Sequence, residues 1–337
     1  KIVEQAVKRT LERVYEEIFE DSSYGYRPKR SQHLCLDRLG RTIQQKRVSY
    51  LVESDIRAFF DEVSHRWLMK FLEHRIGDPR ILRLIGRMLK GGIMEGGLVR
   101  AIERGTPQGS ILSPLLSNIY LHYVLDLWFS HRVRGQCRGE AYYFRFADDF
   151  LACFRYKADA RDFENRLKDR LEAFSLEVAK EKTHCIEFGR FARRDAQRRG
   201  QKPKAFTFLG FTHYSGKTRD GYFKVKRRTS RKKLAQSLRE FTEWSRKSRA
   251  VLRKGEMLRQ AKIRVVGHLS YYAITDNSDR CATYLYHVKG ILFKWLNRKS
   301  QRNSYTWPGY RQALKWVGWP KVSIRKDLNP FRSLEAI

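Results

Sequence analysis

The chain has 337 residues, room for two domains with separate cores, and its 70 lysines and arginines against 36 aspartates and glutamates leave a formal net charge of +34. A surplus of that size goes far beyond what solubility needs and points to a polyanionic partner. No apolar run approaches the ~20 residues of a membrane-spanning helix and no signal peptide opens the chain, so nucleic acid explains the charge better than a membrane.

The opening segment places Ile2/Val3, Ala6/Val7, Leu11, Val14/Tyr15 and Ile18/Phe19 at helical spacing and predicts an amphipathic helix ending near Asp21. A basic, Gly/Pro-broken loop (residues 24–31) follows, then another helix. Tyr50 to Ile56 reads as a strand. Beyond it lies a helix that Ser64 could cap, burying Trp67, Leu68, Phe71, Leu72 and Ile76. A strand near Leu98–Glu103 and the segment Arg104-Gly105-Thr106-Pro107-Gln108-Gly109-Ser110 lead to a helix starting near Pro114, a residue suited to a first turn. Two aromatic strands (141–146 and 150–154) bracket Ala147-Asp148-Asp149. A helix (158–174), a strand within 176–188 and a solvated basic loop (189–204) come next. Two paired strands (205–213 and 221–226) follow, and from Ser230 onward the pattern is helical, with Ile263, Val266, Leu269, Tyr272, Leu285, Val288, Leu292 and Trp295 on the apolar side. The charge is uneven: residues 190–262 hold 24 basic and 5 acidic side chains, a net +19. The five cysteines (35, 137, 153, 185 and 281) show no metal spacing; Cys153 and Cys185 read as core, and a reducing compartment follows.

The chemistry concentrates in Phe146-Ala147-Asp148-Asp149-Phe150. Adjacent carboxylates in an apolar run are costly to bury unless a cation neutralises them, and at a hairpin tip both can point into a cleft. A solvated turn is the alternative, since Asp is a common turn residue. Asp55, at the end of its own strand, supplies a third carboxylate. Together they suit hard cations and phosphoryl transfer, with one metal activating a hydroxyl and another steadying the leaving pyrophosphate. Asp61 reads instead as a first-turn helix residue favoured by the dipole.

The order of motifs is similar to that of the reverse transcriptases encoded by bacterial group II introns. It runs from Asp55-Ile56-x-x-x-Phe60-Asp61 through Thr106-Pro107-Gln108-Gly109-Ser110 with Leu112-Ser113-Pro114, Phe146-Ala147-Asp148-Asp149 and Glu181-Lys182-Thr183 to Phe208-Leu209-Gly210-Phe211. Ile263-Arg264-x-x-Gly267-His268-x-x-Tyr271-Tyr272 and Trp295 to Arg302 resemble that family's maturase, or thumb, domain. The resemblance implies an α+β right-hand polymerase: partial fingers (1–48), a palm with an antiparallel sheet, the remaining fingers elements and a primer-grip hairpin (49–226), then an α-helical thumb (227–337). It implies Asp55, Asp148 and Asp149 as catalytic metal ligands, joined by the backbone carbonyl of Ile56, for two Mg2+ ions with Mn2+ able to substitute. Phe60 would exclude a 2′-hydroxyl, Gln108 would contact the incoming nucleotide, Arg27 and Arg30 would hold the triphosphate, and Lys182 would protonate the leaving pyrophosphate. Phe208, Leu209, Gly210 and Phe211 would grip the primer, and the basic tract 217–233 would follow a phosphate backbone.

Each of these roles competes with a plainer one: core packing for Phe60 and the primer-grip residues, loop or surface polarity for Gln108, Arg27 and Arg30. The partners implied are an RNA template, a DNA primer, dNTPs and structured intron RNA, with no membrane. The expected setting is the bacterial cytoplasm. Relatives carry more sequence before the opening helix, and no endonuclease-type ligand cluster follows the thumb motifs, so partial fingers and no endonuclease domain are expected. Three other functions compete: a host-adapted reverse transcriptase of phage defence or CRISPR adaptation, a maturase that only binds RNA, and a two-metal nuclease. The nuclease leaves Phe60 and Gln108 unexplained.

Overall fold

The computed structural model describes residues 1–91, 93–95, 98–100, 104–106, 109–179, 181, 183–298 and 304–332. They form two compact units. The first comprises residues 1–209 and 217–224, the second residues 210–216 and 225–337.

The first unit is built on a four-stranded antiparallel sheet. It opens with helices α1 (Ile2–Glu16) and α2 (Gln32–Gln45), strand β1 (Tyr50–Ser54), and helices α3 (Phe59–Glu62), α4 (His65–Glu73) and α5 (Pro79–Lys90). A short ribbon of β2 (Ile93–Glu95) and β3 (Leu98–Arg100) leads to α6 (Ser113–Leu121), which continues through π-helical turns at His122–Asp126 and Phe129–Val133. Then come β4 (Ala141–Phe146), β5 (Asp149–Phe154), α7 (Lys157–Glu172), β6 (His184–Glu187), α8 (Ala192–Arg198) and β7 (Ala205–Phe208). The sheet order is β4-β5-β1-β6. Phe150, Ala152 and Phe154 join one core with Val52, Leu116, Phe163 and Leu167, while α2, burying Cys35, Leu36, Leu39 and Ile43, packs along β4. Residues 150–154 of β5 are all buried, hence its unbroken apolar run.

Caps fix the helix starts. Ser31 Oγ accepts from Leu34 N at 3.2 Å, Ser64 Oγ from Trp67 N at 3.4 Å, and Asp78 Oδ1 from Arg80 N at 2.8 Å just before Pro79. Each such cap contributes about 1 kcal/mol.

Three expectations need correction. In α1, Val7, Leu11 and Tyr15 are buried, but Ile2, Val3 and Val14 are exposed, so the apolar face is narrower than the pattern. Residues 189–204 are not all loop: α8 buries Ala192 and Ala196, an i, i+4 pair of side chains too small to mark a helix in a basic sequence. Cys185 is only partly buried, unlike Cys153.

The second unit begins with β8 (Phe211–Lys217) and β9 (Phe223–Thr229), whose residues 217–224 belong to the first unit. Among the described residues four helices follow: α9 (Arg231–Val251), α10 (Lys254–Tyr272), α11 (Ser278–Asn297) and α12 (Trp307–Trp316). Ser230 Oγ caps α9 by accepting from Lys233 N at 3.3 Å. In α10 the buried stripe is Met257, Leu258, Ala261, Val265, Leu269 and Tyr272. Ile263, expected inside, is exposed, because the stripe runs through Val265. Among the described residues no helix is long and apolar enough to cross a membrane.

Candidate active site

The acidic residues meet at one end of the sheet. β5 pairs with β1 so that Ser54 opposes Phe150 and Glu53 opposes Leu151; one step further in that register sets Asp55 across from Asp149. In the β4–β5 hairpin Phe146 pairs with Asp149, leaving Ala147 and Asp148 as a two-residue turn. Ala147 takes a left-handed conformation (φ 57°), and so does Ala58 (φ 43°), three residues after Asp55. Both are side-chain-bearing residues in a region that disfavours them, clustered where the carboxylates stand.

Glu53 stands beside these aspartates. It lies partly buried, and its pKa is raised to about 7, chiefly by desolvation, against a backbone hydrogen bond at Thr207, with the Asp149 and Asp55 carboxylates adding to the rise. A cation would relieve that crowding.

Ile56 forms an isolated antiparallel bridge with Val178, flanked by Ala179 N–H donating to Asp55 O and Arg57 N–H donating to Glu177 O, both at 2.9 Å. In such a pair the N–H and C=O of Ile56 itself point away from Val178, towards the β5 side. Among the described residues no group of three or more His, Cys, Asp or Glu side chains is placed to hold a metal ion by itself. Two carboxylates and a carbonyl, completed by water and phosphate oxygens, are nonetheless the donor set that suits magnesium, so the residues present fit a hard divalent cation.

Phe60 sits in α3, partly buried against the core, with its ring edge-on to Phe59 at 5.3 Å. Residues 104–106 dock beside it. Thr106 N–H donates to Phe60 O and Gly105 N–H to Val63 O, both at 2.8 Å, while His65 Nε2 lies 2.6 Å from Gly105 O and donates to it. Gly105 is required there: its φ is +85°, and a Cβ would stand 2.8 Å from Phe60 O. The segment that runs on to Gln108 is therefore anchored at Phe60. Gln108 and Lys182 themselves lie outside the described residues.

Arg27 does not face the site. It is buried, with Nε donating to the Glu16 carboxylate at 3.1 Å and Nη1 donating to the carbonyls of Glu20 at 2.8 Å and Ser23 at 2.9 Å. That corrects its reading as a triphosphate ligand: its fork is spent on the α1–α2 connection. Arg30 pairs with Asp21 at 2.6 Å and lies over the Tyr24 ring at 5.6 Å. Of the primer-grip set, Leu209 and Gly210 form a left-handed pair (φ 48° and 79°) at the boundary between the units. Phe208 is buried in the first unit, and Phe211 in the second, against Tyr271 and Tyr272.

The sequence reading missed a buried polar cluster behind the turn. Arg145 is fully buried and donates to Asp126 through Nε at 2.7 Å and Nη2 at 2.5 Å, to Ser23 Oγ at 2.8 Å, to Asn118 Oδ1 at 2.9 Å and to the carbonyl of Ala147 at 3.0 Å. An arginine inside an aromatic strand was the available signal. His122 joins the cluster, its Nδ1 4.0 Å from Asp126. That carboxylate favours protonation, but burial outweighs it and Arg145 opposes it, and the imidazole pKa falls to about 4. In the second unit, burial against Tyr284 likewise lowers His268 to about 4. Both histidines fold neutral, so their contribution to stability is complete above about pH 6.5 and is lost as pH falls towards 4. Urea denaturation at pH 7 and pH 4.5 is expected to show a loss on the order of 2–3 kcal/mol per histidine, removed for the first unit by His122→Gln.

An antiparallel sheet with aspartates crowded at one strand end, backed by helices and followed by a helical unit, is the palm of a nucleic-acid polymerase. Residues 1–213 match the family model for reverse transcriptase (RNA-dependent DNA polymerase), and the chain belongs to that family. Its members use divalent metal ions. The group II intron-encoded protein LtrA of Lactococcus lactis subsp. cremoris is 42% identical over 131 residues, 38% of this chain and 22% of the relative. Protein YkfC of Escherichia coli strain K12 is 35% identical over 150 residues, 42% of this chain and 38% of the relative. The matched stretches thus span well under half of either relative. Apo telomerase from Candida tropicalis shares the fold, at 12% identity and a TM-score of 0.50, over 94% of this chain and 52% of that one.

Proposed function

We propose that the chain is an RNA-directed DNA polymerase of the group II intron type, taking an RNA template, a DNA primer and dNTPs, and binding structured intron RNA to assist splicing and mobility. The observation that carries this reading is the β1–β5 register, which ends with Ser54 opposite Phe150 and so leaves Asp55 and Asp149 at the same sheet end, with Thr106 bonded to Phe60 in the segment leading to Gln108. Intron-encoded relatives and the charge of +34 support the RNA partner, and the bacterial ones a bacterial cytoplasmic setting.

In this mechanism Asp55, Asp149, Asp148 and the Ile56 carbonyl would hold two Mg2+ ions, for which Mn2+ would substitute. When bound, these ions supply Lewis-acid activation of the primer hydroxyl and charge neutralisation at the leaving pyrophosphate. Phe60 presents its ring to the sugar and excludes a 2′-hydroxyl by bulk, while Gln108, further along the chain from the Gly105–Thr106 anchor, would contact the incoming nucleotide. Arg30 remains available to a triphosphate by exchanging Asp21 for phosphate oxygens. Lys182 would protonate the pyrophosphate. Phe208 to Phe211 would steady the primer end.

Primer extension on an RNA template with Mg2+ and dNTPs tests the reading. cDNA synthesis is expected; tight binding of intron RNA with no cDNA would replace it with an RNA-binding maturase. Phe60→Ala is expected to raise the rNTP-to-dNTP incorporation ratio at least about tenfold, the scale of a lost steric contact. An unchanged ratio would remove Phe60 from sugar selection.

A further inference from the structure

We propose that Arg145 is a positioning residue for the acidic turn, and that with Asn118 and Gly25 it forms a clamp that sets where Asp148 and Asp149 stand. The proposal rests on the metal-dependent polymerase reading above.

Five hydrogen bonds use all five N–H groups of the Arg145 guanidinium. An ion pair that merely filled the core would need only Asp126. The bond from Nη1 to the Ala147 carbonyl does something else: it closes back on the turn that Arg145's own strand leads into, one residue before Asp148. Ala147 is held left-handed at φ 57°, a conformation an alanine leaves at the first opportunity, so the turn depends on outside contacts for its shape.

The same guanidinium nitrogen donates to Asn118 Oδ1, and the Asn118 amide donates in turn to the carbonyl of Gly25 at 2.6 Å. Gly25 then presses on the other side of the turn. A Cβ on it would lie 2.3 Å from Ala147 N, a distance no side chain tolerates. Backbone bonds register this wall against β4, with Tyr24 N–H donating to Arg145 O and Arg145 N–H to Ser22 O, both at 2.8 Å. The turn is gripped between an arginine fork and a glycine backbone, and Asn118 ties the two jaws together. Asp126, which orients the fork, ends the first π-helical turn.

Direct Mn2+ binding to the whole chain, followed by electron paramagnetic resonance and paired with thermal unfolding, tests the clamp in Asp149→Asn, Arg145→Lys and Gly25→Ala. Lysine keeps the charge opposite Asp126 but lacks the fork; the alanine leaves the ion pair intact and displaces the turn. Arg145→Lys and Gly25→Ala are expected to weaken Mn2+ binding about 10–100-fold, the range seen when supports of metal ligands are lost. Primer extension by both should recover at high metal concentration with the KM for dNTP unchanged. Wild-type Mn2+ affinity in either folded variant overturns the clamp. If Arg145→Lys does not fold, Gly25→Ala decides alone, since it removes no buried charge. Should Asp149→Asn bind Mn2+ like the wild type, the metal-site reading fails and the clamp with it; if Asp149→Asn loses binding while the other two retain it, only the clamp fails.

Discussion

Asp149→Asn is expected to reduce RNA-templated DNA synthesis by roughly 10³-fold or more while leaving the folded state intact, and Asp55→Asn to do the same. Asparagine preserves the shape of the side chain and removes only the charge, so the loss reads out the carboxylate's electrostatic work. Both residues stand at the same end of the sheet, each next to the paired Ser54 and Phe150, and Glu53 already responds to both. Neither is needed for packing: Asp149 is exposed and Asp55 only partly buried. Thermal unfolding should therefore move little, or upwards, as one of three crowded negative charges is removed. Asp169→Asn, exposed on α7, serves as the control and should extend primers at the wild-type rate. Steady-state incorporation of a single dNTP on an RNA template measures the effect; a loss under tenfold at Asp149 would move the reaction centre away from this turn.

How much of this was legible in the sequence depended on how each residue advertises its burden. The Asp148-Asp149 pair stood out because nothing in an aromatic hairpin explains two charges. β5 stood out because a strand buried along its length has no polar alternation to dilute it. Where small residues carry the packing, as Ala192 and Ala196 do in α8, the pattern is silent. In α10 the apolar stripe includes Val265, and reading it through Ile263 put the wrong valine neighbour inside. Arg27 was misread because a basic residue in a polar loop looks available for phosphate, and only the fold brings Glu16, Glu20 and Ser23 to it. The Arg145–Asp126 pairing was out of reach for a similar reason. Its partners lie 19 residues apart, one in a strand and one in a π-helical turn whose wider winding breaks the 3.6-residue period.

That buried pair makes the second large prediction. Asp126→Ala leaves the fully buried Arg145 charge without its hydrogen-bonded carboxylate, and Ser23, Asn118 and the Ala147 carbonyl cannot replace it. Urea denaturation is expected to show a loss of about 3–5 kcal/mol, a large share of the stability of an ordinary domain. Removing both charges behaves differently. In Asp126→Leu/Arg145→Met no ion is stranded, and apolar side chains of similar bulk fill the space, so a substantial part of the single-mutant loss should return. Activity should not return with it. The double variant has no donor for the Ala147 carbonyl or for Asn118 Oδ1, and the turn carrying Asp148 and Asp149 loses its inner jaw. Recovery of stability without recovery of primer extension is thus the expected pair of results, and it separates what the ion pair contributes to folding from what Arg145 contributes to the site. Full recovery of both would mean that the turn holds its shape unaided and that Arg145 serves the core alone.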